Sequence, residues 1–454
     1  MGERESLSAA AYADRLQAQL CARPLRAVSA REDHPALAWA RSGAMFLTGH
    51  PDRSPQMCPV PLAAAADGVL ALVGAMSCEP LPSHLDGARL LGERAAIAGY
   101  RRGGTVACGG ACRLLTLASG RSIAINLARE DDFDLLPALL EQDGIADWPS
   151  LTAAICRRDD IADLVARGRE LGLAIAQVDA LHDTPARWYR QIVAGTASAG
   201  HPARRERPRV LDLSALWAGP LCTHLLQLGG AEVIKVEGRT RPDGARHGPS
   251  AFFDLLNAGK RSVALDLRDP RDQAWLRALV DDADIVIEAS RPRALRQIGI
   301  DAESLVRSRD GLTWIGLNGH GRGEPQDQWI AYGDDAAIDA GLARVMREAA
   351  GEMMFVGDAI ADPLAGLHAA LLAWWSWRQG GSRLLSISLS ECVRYVLDSA
   401  RTDDWRARYA SWEAVLRAAG VEAAAPVARQ VGAVASPLGA DTDAVLSRLG
   451  RGSC

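Results

Sequence analysis

The sequence lacks several patterns that would identify common classes of site and location. Its nine cysteines include no C-x-x-C pair, which favours reduced thiols in an intracellular protein. A net charge of −5 gives no overall basic excess, so we expect no nucleic-acid partner. No apolar run is long enough to cross a bilayer and the start shows no signal-peptide pattern, so we expect a cytoplasmic protein without membrane association.

Motifs of familiar cofactor sites and hydrolases are also missing. The chain has no G-x-G-x-x-G fingerprint after a strand, no G-x-S-x-G elbow and no H-E-x-x-H. The glycine-rich loop GHGRG at 319–323 lacks the lysine of a nucleotide triphosphate P-loop. Cys108 and Cys112 have no cluster of further ligands nearby in sequence. We therefore expect no metal ion and no prosthetic group.

The segment 209–268 carries the clearest pattern that is present. RVLDLS and AEVIKVE are short apolar runs typical of buried parallel strands. Between them, Gly219 and Pro220 open a predicted helix and Gly229 and Gly230 close it. A right-handed strand–helix–strand unit of this kind commonly meets a ligand at the carboxyl edge of its sheet.

Three ordered motifs in this region resemble the family III CoA-transferases, which include formyl-CoA and carnitine CoA-transferases and the α-methylacyl-CoA racemases. The motifs are WAGPLCTHLLQLGGAEVIKVE, NAGKRSVALDLRDP and DADIVIEASRPRALRQIGI. With LTWIGLNGHGRGEP and FVGDAIADPLAGLHAALLAWW, the resemblance covers about residues 207–395. Several ordered motifs over such a length are more specific than one short pattern.

The resemblance implies an α/β fold with a Rossmann-like parallel sheet domain and a smaller α+β domain. Residues 42–76 align without a gap on residues 340–374, so the chain is predicted to hold two incomplete copies. An independent degenerate N-terminal domain is the alternative. The predicted divisions are a partial first copy without the nucleotide-binding start (1–111), a small domain (112–197), a linker (198–208), the CoA-binding large domain (209–398) and a helical tail (399–454).

Asp362 is the predicted catalytic residue, because it matches the aspartate that attacks the acyl-CoA thioester in the transferases. A carboxylate forms covalent intermediates that split one difficult step into two. Asp362 precedes Pro363, so we expect it at the N-cap of a long apolar helix, where the helix dipole favours the ionised form. A simple helix cap without chemistry is the alternative. The matched position in the first copy is Ala64, so one competent site per chain is expected.

Asp358 is the second catalytic candidate, because a V-G-D turn resembles the wording of the racemases around their catalytic aspartate. Racemisation needs a second group on the opposite face of the substrate α-carbon. Where the racemases have a histidine, this chain has Tyr332, Gly333 and Asp334. His320, the nearest histidine upstream, is interpreted as a loop residue. The racemase hypothesis therefore ranks second.

The resemblance also implies a set of residues that contact CoA. They fall after the first strand, after V-I-K-V-E, around K-R-S-V-A-L-D-L and in the segment that follows IVIE, where this chain has EAS in place of an asparagine-containing motif. Arginine suits phosphate because it binds oxygens in pairs. The predicted contacts are Leu216, Trp217, Ala218, Arg239, Leu265, Arg268, Ser290 and Arg296.

Together these features predict an acyl-CoA:carboxylate CoA-transferase, with acyl-CoA and a small carboxylic acid as substrates. The mechanism would pass through an aspartyl mixed anhydride and an enzyme–CoA thioester. An acyl-CoA racemase or isomerase and a catalytically inactive CoA-binding paralogue are the two alternatives. We expect a homodimer or a pseudo-dimer within one chain, since the N-terminal section would supply the small domain that the second copy lacks.

Overall fold

The computed structural model describes residues 7–21, 30–180, 182, 184–195, 205–430 and 432–450. Most of the predicted linker, residues 198–204, lies outside the described residues, as do the last four residues of the predicted tail. In the described residues, no helix is both long enough and apolar enough to span a bilayer.

The strands form two separate sheets. Their bounds are β1 (Cys112–Thr116), β2 (Ser122–Asn126), β3 (Ala174–Gln177), β4 (Arg190–Ala194), β5 (Arg209–Leu213), β6 (Glu232–Gly238), β7 (Arg261–Leu265), β8 (Ile285–Glu288), β9 (Thr313–Asn318) and β10 (Arg383–Ser388).

The helices of the described residues surround both sheets. They are α1 (Ala9–Leu20), α2 (Pro35–Arg41), α3 (Leu62–Met76), α4 (Gly87–Leu90), α5 (Glu93–Ala98), α6 (Leu136–Leu140), α7 (Trp148–Ile155), α8 (Ile161–Glu170), α9 (Ala218–Leu228), α10 (Ser250–Asn257), α11 (Pro270–Asp282), α12 (Pro292–Gln297), α13 (Ala302–Ser308), α14 (Gly333–Asp339), α15 (Leu342–Ala350), α16 (Ala361–Arg378), α17 (Leu389–Ser399), α18 (Trp405–Ala419) and α19 (Thr442–Gly450). Short 3₁₀ turns lie at Glu130–Leu135, Gly244–His247 and Gln326–Gln328.

The large sheet has seven strands in the order β4-β10-β9-β8-β5-β6-β7. All neighbouring pairs are parallel except β10 and β4, which are antiparallel. Strands such as β8 and β9 are buried almost throughout, as expected for a parallel sheet with helices on both faces. The prediction of an α/β fold with a parallel sheet is confirmed, including the strands at RVLDLS and AEVIKVE and the helix between them.

The small sheet is antiparallel, with the order β1-β2-β3, and packs on α6, α7 and α8 through its own apolar core. Its first two strands, β1 and β2, form a hairpin in the segment CRLLTLASGRSIAINL. The boundary predicted at residue 197 differs from the observed one, because β4 belongs to the large sheet. Its backbone pairs with the otherwise open edge of β10, and the small sheet ends at Gln177.

Two regions of the chain match in structure at one constant shift. α2 and α14 have bounds that differ by 298 positions at both ends (333 − 35 and 339 − 41). A Cβ on Gly68 would lie 2.4 Å from the Ala9 carbonyl oxygen, and one on Gly366 would lie 2.6 Å from the Ala218 carbonyl oxygen. Each glycine thus lets its helix, α3 or α16, approach the first residue of a neighbouring helix. These matches agree with the two-copy arrangement, which stays a prediction.

The N-terminal section packs directly against the segment that leads into α16. The Gly357 N–H donates to Thr48 Oγ1 at 2.9 Å, and the Phe355 N–H donates to the Gly104 carbonyl at 2.9 Å. From β2, Asn126 Nδ2 donates to Asp335 Oδ1 at 2.8 Å. The small sheet and residues 42–108 therefore cover the side of the large domain on which α14 and α16 begin.

Candidate active site

Asp362 is the second residue of α16, which begins at Ala361 with Ile360 as its N-cap. The predicted N-cap position of Asp362 was wrong by two residues. The reason lies in the preceding turn, where Ala359 adopts a left-handed conformation (φ 41°) and Ile360 is already helical. Asp362 still lies in the first helical turn, where unpaired backbone N–H groups and the helix dipole favour negative charge.

The start of α14 lies directly beside the Asp362 carboxyl group. A Cβ on Gly333 would lie 2.3 Å from the Ala359 carbonyl oxygen and 2.6 Å from Asp362 Oδ2, so only glycine fits there. One residue later, Asp334 Oδ1 accepts the Ala359 N–H at 2.9 Å. Asp334 therefore holds the unusual backbone of Ala359 and belongs to the same buried cluster as Asp362.

Arg94 brings a positive charge from the N-terminal section into this cluster. Its Nε donates to Asp358 Oδ2 at 2.9 Å and its Nη2 to Asp358 Oδ1 at 2.5 Å, a bidentate pair. The Asp358 side chain is fully buried, whereas Asp362 is only partly buried. Both oxygens of Asp358 are thus occupied by hydrogen bonds from Arg94. Asp362 is the more accessible of the two predicted catalytic carboxyl groups.

The electrostatics of the cluster follow from one guanidinium facing three carboxyl groups. Burial raises the pKa of Asp362 to about 7, an effect that Arg94 opposes and that Asp334 and Asp358 reinforce. Burial, with repulsion from Asp358, likewise raises the pKa of Asp334 to about 6. Burial disfavours the Arg94 charge, but the three carboxylates outweigh it and raise the arginine pKa. Asp334 and Asp362 therefore both gain or lose a proton close to neutral pH.

The predicted CoA-binding turn at 216–218 lies next to this cluster. The Trp217 ring faces the Arg94 guanidinium, with 5.3 Å between Cζ and the ring centroid, and the Ala218 carbonyl packs on Gly366 of α16. Leu216 is left-handed (φ 68°) and exposed, and its N–H donates to Asp243 Oδ1 at 2.9 Å. The structure therefore brings the first predicted CoA contacts beside the predicted nucleophile.

A buried ion pair between Lys235 and Asp243 supports the 216–218 turn. Lys235 Nζ lies 2.9 Å from Asp243 Oδ2 and donates to the Ser214 carbonyl at 2.8 Å. Both side chains are almost completely buried, so each charge depends on the other. This pair ties the end of β6 to the loop after β5 and so holds Leu216 in place.

The remaining predicted CoA contacts lie at the same carboxyl edge, after β6, β7 and β8. Arg239 and Arg268 are more than half exposed; their nearest carboxylates are Asp272 at 3.7 Å and Asp266 at 3.2 Å. The Leu265 side chain is buried and its carbonyl accepts the Arg239 N–H, so only its backbone borders the edge.

Ser290 and Arg296 are already engaged by glutamates. Ser290 Oγ donates to Glu288 Oε1 at 3.1 Å, and Arg296 Nη2 lies 3.0 Å from Glu303 Oε1. Both residues lie beyond β8 at the edge shared with the 216–218 turn. Their role in CoA binding stays a prediction.

Sequence reasoning missed Arg94 and Asp334 as members of the site. Arg94 lies 264 positions before its partner Asp358, and no local pattern marks it. Asp334 was noted only as a position where the racemases have other residues. A buried acidic residue at the start of an apolar helix, GDDAAID, was the available signal for Asp334.

Comparison with known proteins identifies the family. The model of the family described as CoA-transferase family III matches residues 207–437, which are just over half of the chain. The chain belongs to this family. The matched region contains the whole carboxyl edge described above together with Asp334, Asp358 and Asp362, but not Arg94.

Several named relatives are similar over part of their length. An acyl-CoA transferase of Fusarium pseudograminearum is 32% identical over 182 residues, which are 36% of this chain and 40% of that protein. A succinyl-CoA–D-citramalate CoA-transferase of Chloroflexus aurantiacus is 32% identical over 202 residues, which are 42% of this chain and 50% of that protein. A formyl-CoA:oxalate CoA-transferase of Afipia carboxidovorans is 32% identical over 170 residues, which are 36% of this chain and 40% of that protein. The chain thus spans half or less of the length of these relatives.

Solved structures also match in part. A CAIB/BAIF family protein from Brucella suis is 27% identical with a TM-score of 0.37, over 47% of this chain and 57% of that one. A hypothetical protein from Mycobacterium tuberculosis is 27% identical with a TM-score of 0.38, over 41% and 55%.

Proposed function

We propose that this chain is an acyl-CoA:carboxylate CoA-transferase in which Asp362 is the nucleophile. The observation that carries the proposal is the contrast between two neighbouring carboxyl groups. Arg94 binds both oxygens of the buried Asp358, whereas Asp362 is partly accessible in the first turn of α16, beside the 216–218 turn. Family membership supports CoA thioesters as the substrate class.

The proposed chemistry has two matched halves. An Asp362 oxygen attacks the thioester carbon, the C–S bond breaks, and CoA leaves as a thiolate with a mixed anhydride on the enzyme. The thiolate then attacks the Asp362 carbonyl carbon, which releases the first acid and leaves CoA on the aspartyl group. In the second half, the acceptor carboxylate attacks the enzyme–CoA thioester and gives a new mixed anhydride and CoA thiolate. The thiolate then attacks the acyl carbon of the acceptor, which forms the new acyl-CoA and frees Asp362. First-turn N–H groups of α16 are suited to bind the oxyanion formed in each attack.

The site is proposed to be complete within one chain, because Arg94 and the small sheet come from the N-terminal section. A pseudo-dimer of two incomplete copies explains this arrangement without a second chain. Native mass spectrometry combined with activity measurements tests it, since an active monomer supports the proposal and activity confined to dimers contradicts it.

Trapping the intermediate tests the transferase chemistry directly. The purified protein is incubated with succinyl-CoA, a thioester named among the relatives, and then with hydroxylamine. Hydroxylamine attacks the Asp362 carbonyl carbon of the enzyme–CoA thioester and displaces CoA as the thiol, which leaves an aspartyl hydroxamate that peptide mass spectrometry locates. Asp358→Asn serves as the matched control and should still be labelled. Labelling elsewhere, or CoA binding with no label at all, contradicts the nucleophile assignment, and the latter result supports the inactive paralogue.

A racemase or isomerase is a second candidate, favoured by one specific observation. Asp334 and Asp362 are adjacent, and both have a pKa near neutrality, which suits proton transfer. Exchange of the substrate α-proton for deuterium in heavy water, measured by proton NMR on a branched acyl-CoA, distinguishes this reaction from transfer. Exchange without transfer to an added acid would make racemisation the correct function.

A further inference from the structure

Two adjoining cavities lie at the other end of α14, away from Asp362. Their volumes are about 450 Å³ and about 520 Å³, and they share lining residues such as Ala180, Ala340 and Arg394. The walls come from α8 and the segment after β3, the loop after β9, the end of α14 and α17. The cavities therefore form one groove between the small sheet and the large domain.

Arginine dominates the charged groups of this groove. Among the described lining residues, six arginines face three carboxylates, Asp339, Glu391 and Asp398, and two histidines are also present. The arginines are Arg169, Arg190, Arg322, Arg344, Arg394 and Arg401. Glu391 is occupied by Arg190, which binds both of its oxygens at 3.1 and 2.7 Å. Arg322 is paired outside the lining with Glu288 and Glu303, so five arginines remain to face the three described lining carboxylates.

Asp339 lies between Arg169 and His320, and neither side chain is fully hydrogen-bonded to the described residues. Arg169 Nη2 lies 3.4 Å from Asp339 Oδ1, and His320 Nδ1 lies 3.5 Å from Asp339 Oδ2, both long contacts. Arg169 Nε and His320 Nε2 are buried and have no hydrogen-bond partner among the described residues. A buried donor such as Arg169 Nε is costly to leave without a hydrogen bond, which points to a missing acceptor.

The environment of Arg169 supports the same conclusion. Its guanidinium stacks on Trp329, with 4.0 Å between Cζ and the ring centroid, which presents a planar fork of donors at the cavity wall. Burial lowers the pKa of Arg169, and the attraction of Asp339 and Asp335 only partly offsets this. A bound anion would supply the charge that the site lacks.

Helix capping explains part of this cluster but not all of it. His182 Nε2 lies 2.9 Å from the Asp339 carbonyl at the C-terminal end of α14, where positive groups are favourable. Capping gives no role to Arg344, Arg394 or Arg401 on the far side of the groove, nor to the open donor of Arg169.

We infer that this groove binds a small oxyanion compound, carrying carboxylate or phosphate groups, at a site separate from the Asp362 centre. Gly333 of α14 touches Asp362, and Asp339 lies six residues further along the same helix, roughly 9 Å away at about 1.5 Å per residue. Arginine forks bind carboxylate and phosphate equally well in pairs of hydrogen bonds, so the shared chemistry is the oxyanion.

Titration calorimetry on the full chain tests the inference. Succinate and inorganic phosphate are titrated separately at constant ionic strength, with chloride as the non-specific control, and the stronger of the two identifies the source of the oxyanion. We expect saturable binding that Arg169→Gln weakens at least tenfold. Asp362→Asn should bind the same anion with unchanged affinity, which separates this site from the proposed reaction.

A second variant guards against misfolding of the first. Ala180→Glu leaves every arginine in place and adds a carboxylate where the two cavities meet, so it should weaken binding to a similar extent. Far-UV circular dichroism and the melting temperature confirm that both variants are folded. No saturable binding of either anion by the native chain, or native affinity in both variants, overturns the inference.

Discussion

The regions that begin α3 and α16 can be compared position by position at the shift of 298. Where the second region has Asp334, Asp358 and Asp362, the first has Ala36, Val60 and Ala64 (334 − 298, 358 − 298 and 362 − 298). The three residues of the first region are almost completely buried in apolar surroundings. The same helical framework therefore exists without any of the three carboxyl groups.

The polar residues of the first region have a different arrangement. Asp67, on the buried face of α3, lies 2.7 Å from Arg41 Nη2 and accepts the Ala88 N–H at 2.9 Å. Arg41 also binds Asp86 and lies 3.1 Å from Asp33, so it is in direct contact with all three carboxylates of this network. In the second region the single arginine hydrogen-bonds to only one of the three carboxyl groups. Among the described residues, the first region therefore pairs all three of its carboxylates with arginine, whereas the second leaves two carboxyl groups without such a pair.

The largest expected effect comes from removing the carboxylate from the second region. Asp362→Asn should lower transferase kcat by on the order of 10⁴-fold, because an amide cannot form the anhydride. Its melting temperature should change little, since Asn is also tolerated in a first helical turn. Steady-state kinetics and calorimetric melting measure the two quantities, and turnover close to that of the native chain would remove Asp362 as nucleophile.

The reverse exchange tests whether the first region tolerates the carboxylate. Ala64→Asp places a charge at an almost completely buried position of the apolar core, so we expect a loss of about 3 kcal/mol in the free energy of unfolding. Urea denaturation measures this loss. Ala64→Asn is the neutral control and should lose less. A second active site in the Asp variant, detected in an Asp362→Asn background, would contradict the comparison.

The pH profile tests the role of the single arginine. Activity requires ionised Asp362, so kcat/KM should rise with pH through about 7. Arg94 lowers the pKa of Asp362, so Arg94→Gln should move this rise to higher pH and reduce activity at neutrality several-fold. Asp358→Asn removes a neighbouring negative charge and should move the rise to lower pH. Shifts of the same sign in both variants would contradict the electrostatic assignment.

The smallest effect is expected at the exposed edge of the large sheet. Arg239→Gln should raise the KM for acyl-CoA by about three- to tenfold and leave kcat unchanged, because an exposed arginine adds only modest binding energy to a phosphate. Arg121→Gln, in the exposed turn between β1 and β2, is the matched control. An equal change in both variants would show that the effect is not specific to CoA.

Local patterns carried much of the fold. The apolar runs around RVLDLS and AEVIKVE, and the paired Gly229 and Gly230, predicted β5, β6 and the end of α9, because each signal lies within a few residues of its effect. The start of α16 was misplaced because Ala359 adopts a left-handed conformation that alanine rarely takes. Asp334, 25 positions from that turn, holds it in place.

Long-range contacts were beyond sequence reasoning. Arg94 and Asp358 meet because the N-terminal section folds over the large domain, and neither residue type nor spacing encodes that meeting. The same holds for β4. Its sequence, RQIVA, does not indicate that it pairs with β10 at the edge of the large sheet. The predicted CoA contacts and the cytoplasmic location stay predictions.

The pairing of Arg94 with Asp358 has a consequence for how the protein is made. The guanidinium is synthesised 240 to 268 residues before the three carboxyl groups (334 − 94 and 362 − 94), so the bidentate pair cannot form until the chain has been extended past Asp358. The charge distribution of the candidate site forms only when the segment that leads into α16 packs against the N-terminal section. Under the proposed function, turnover would therefore report whether these two distant parts of the polypeptide have folded together.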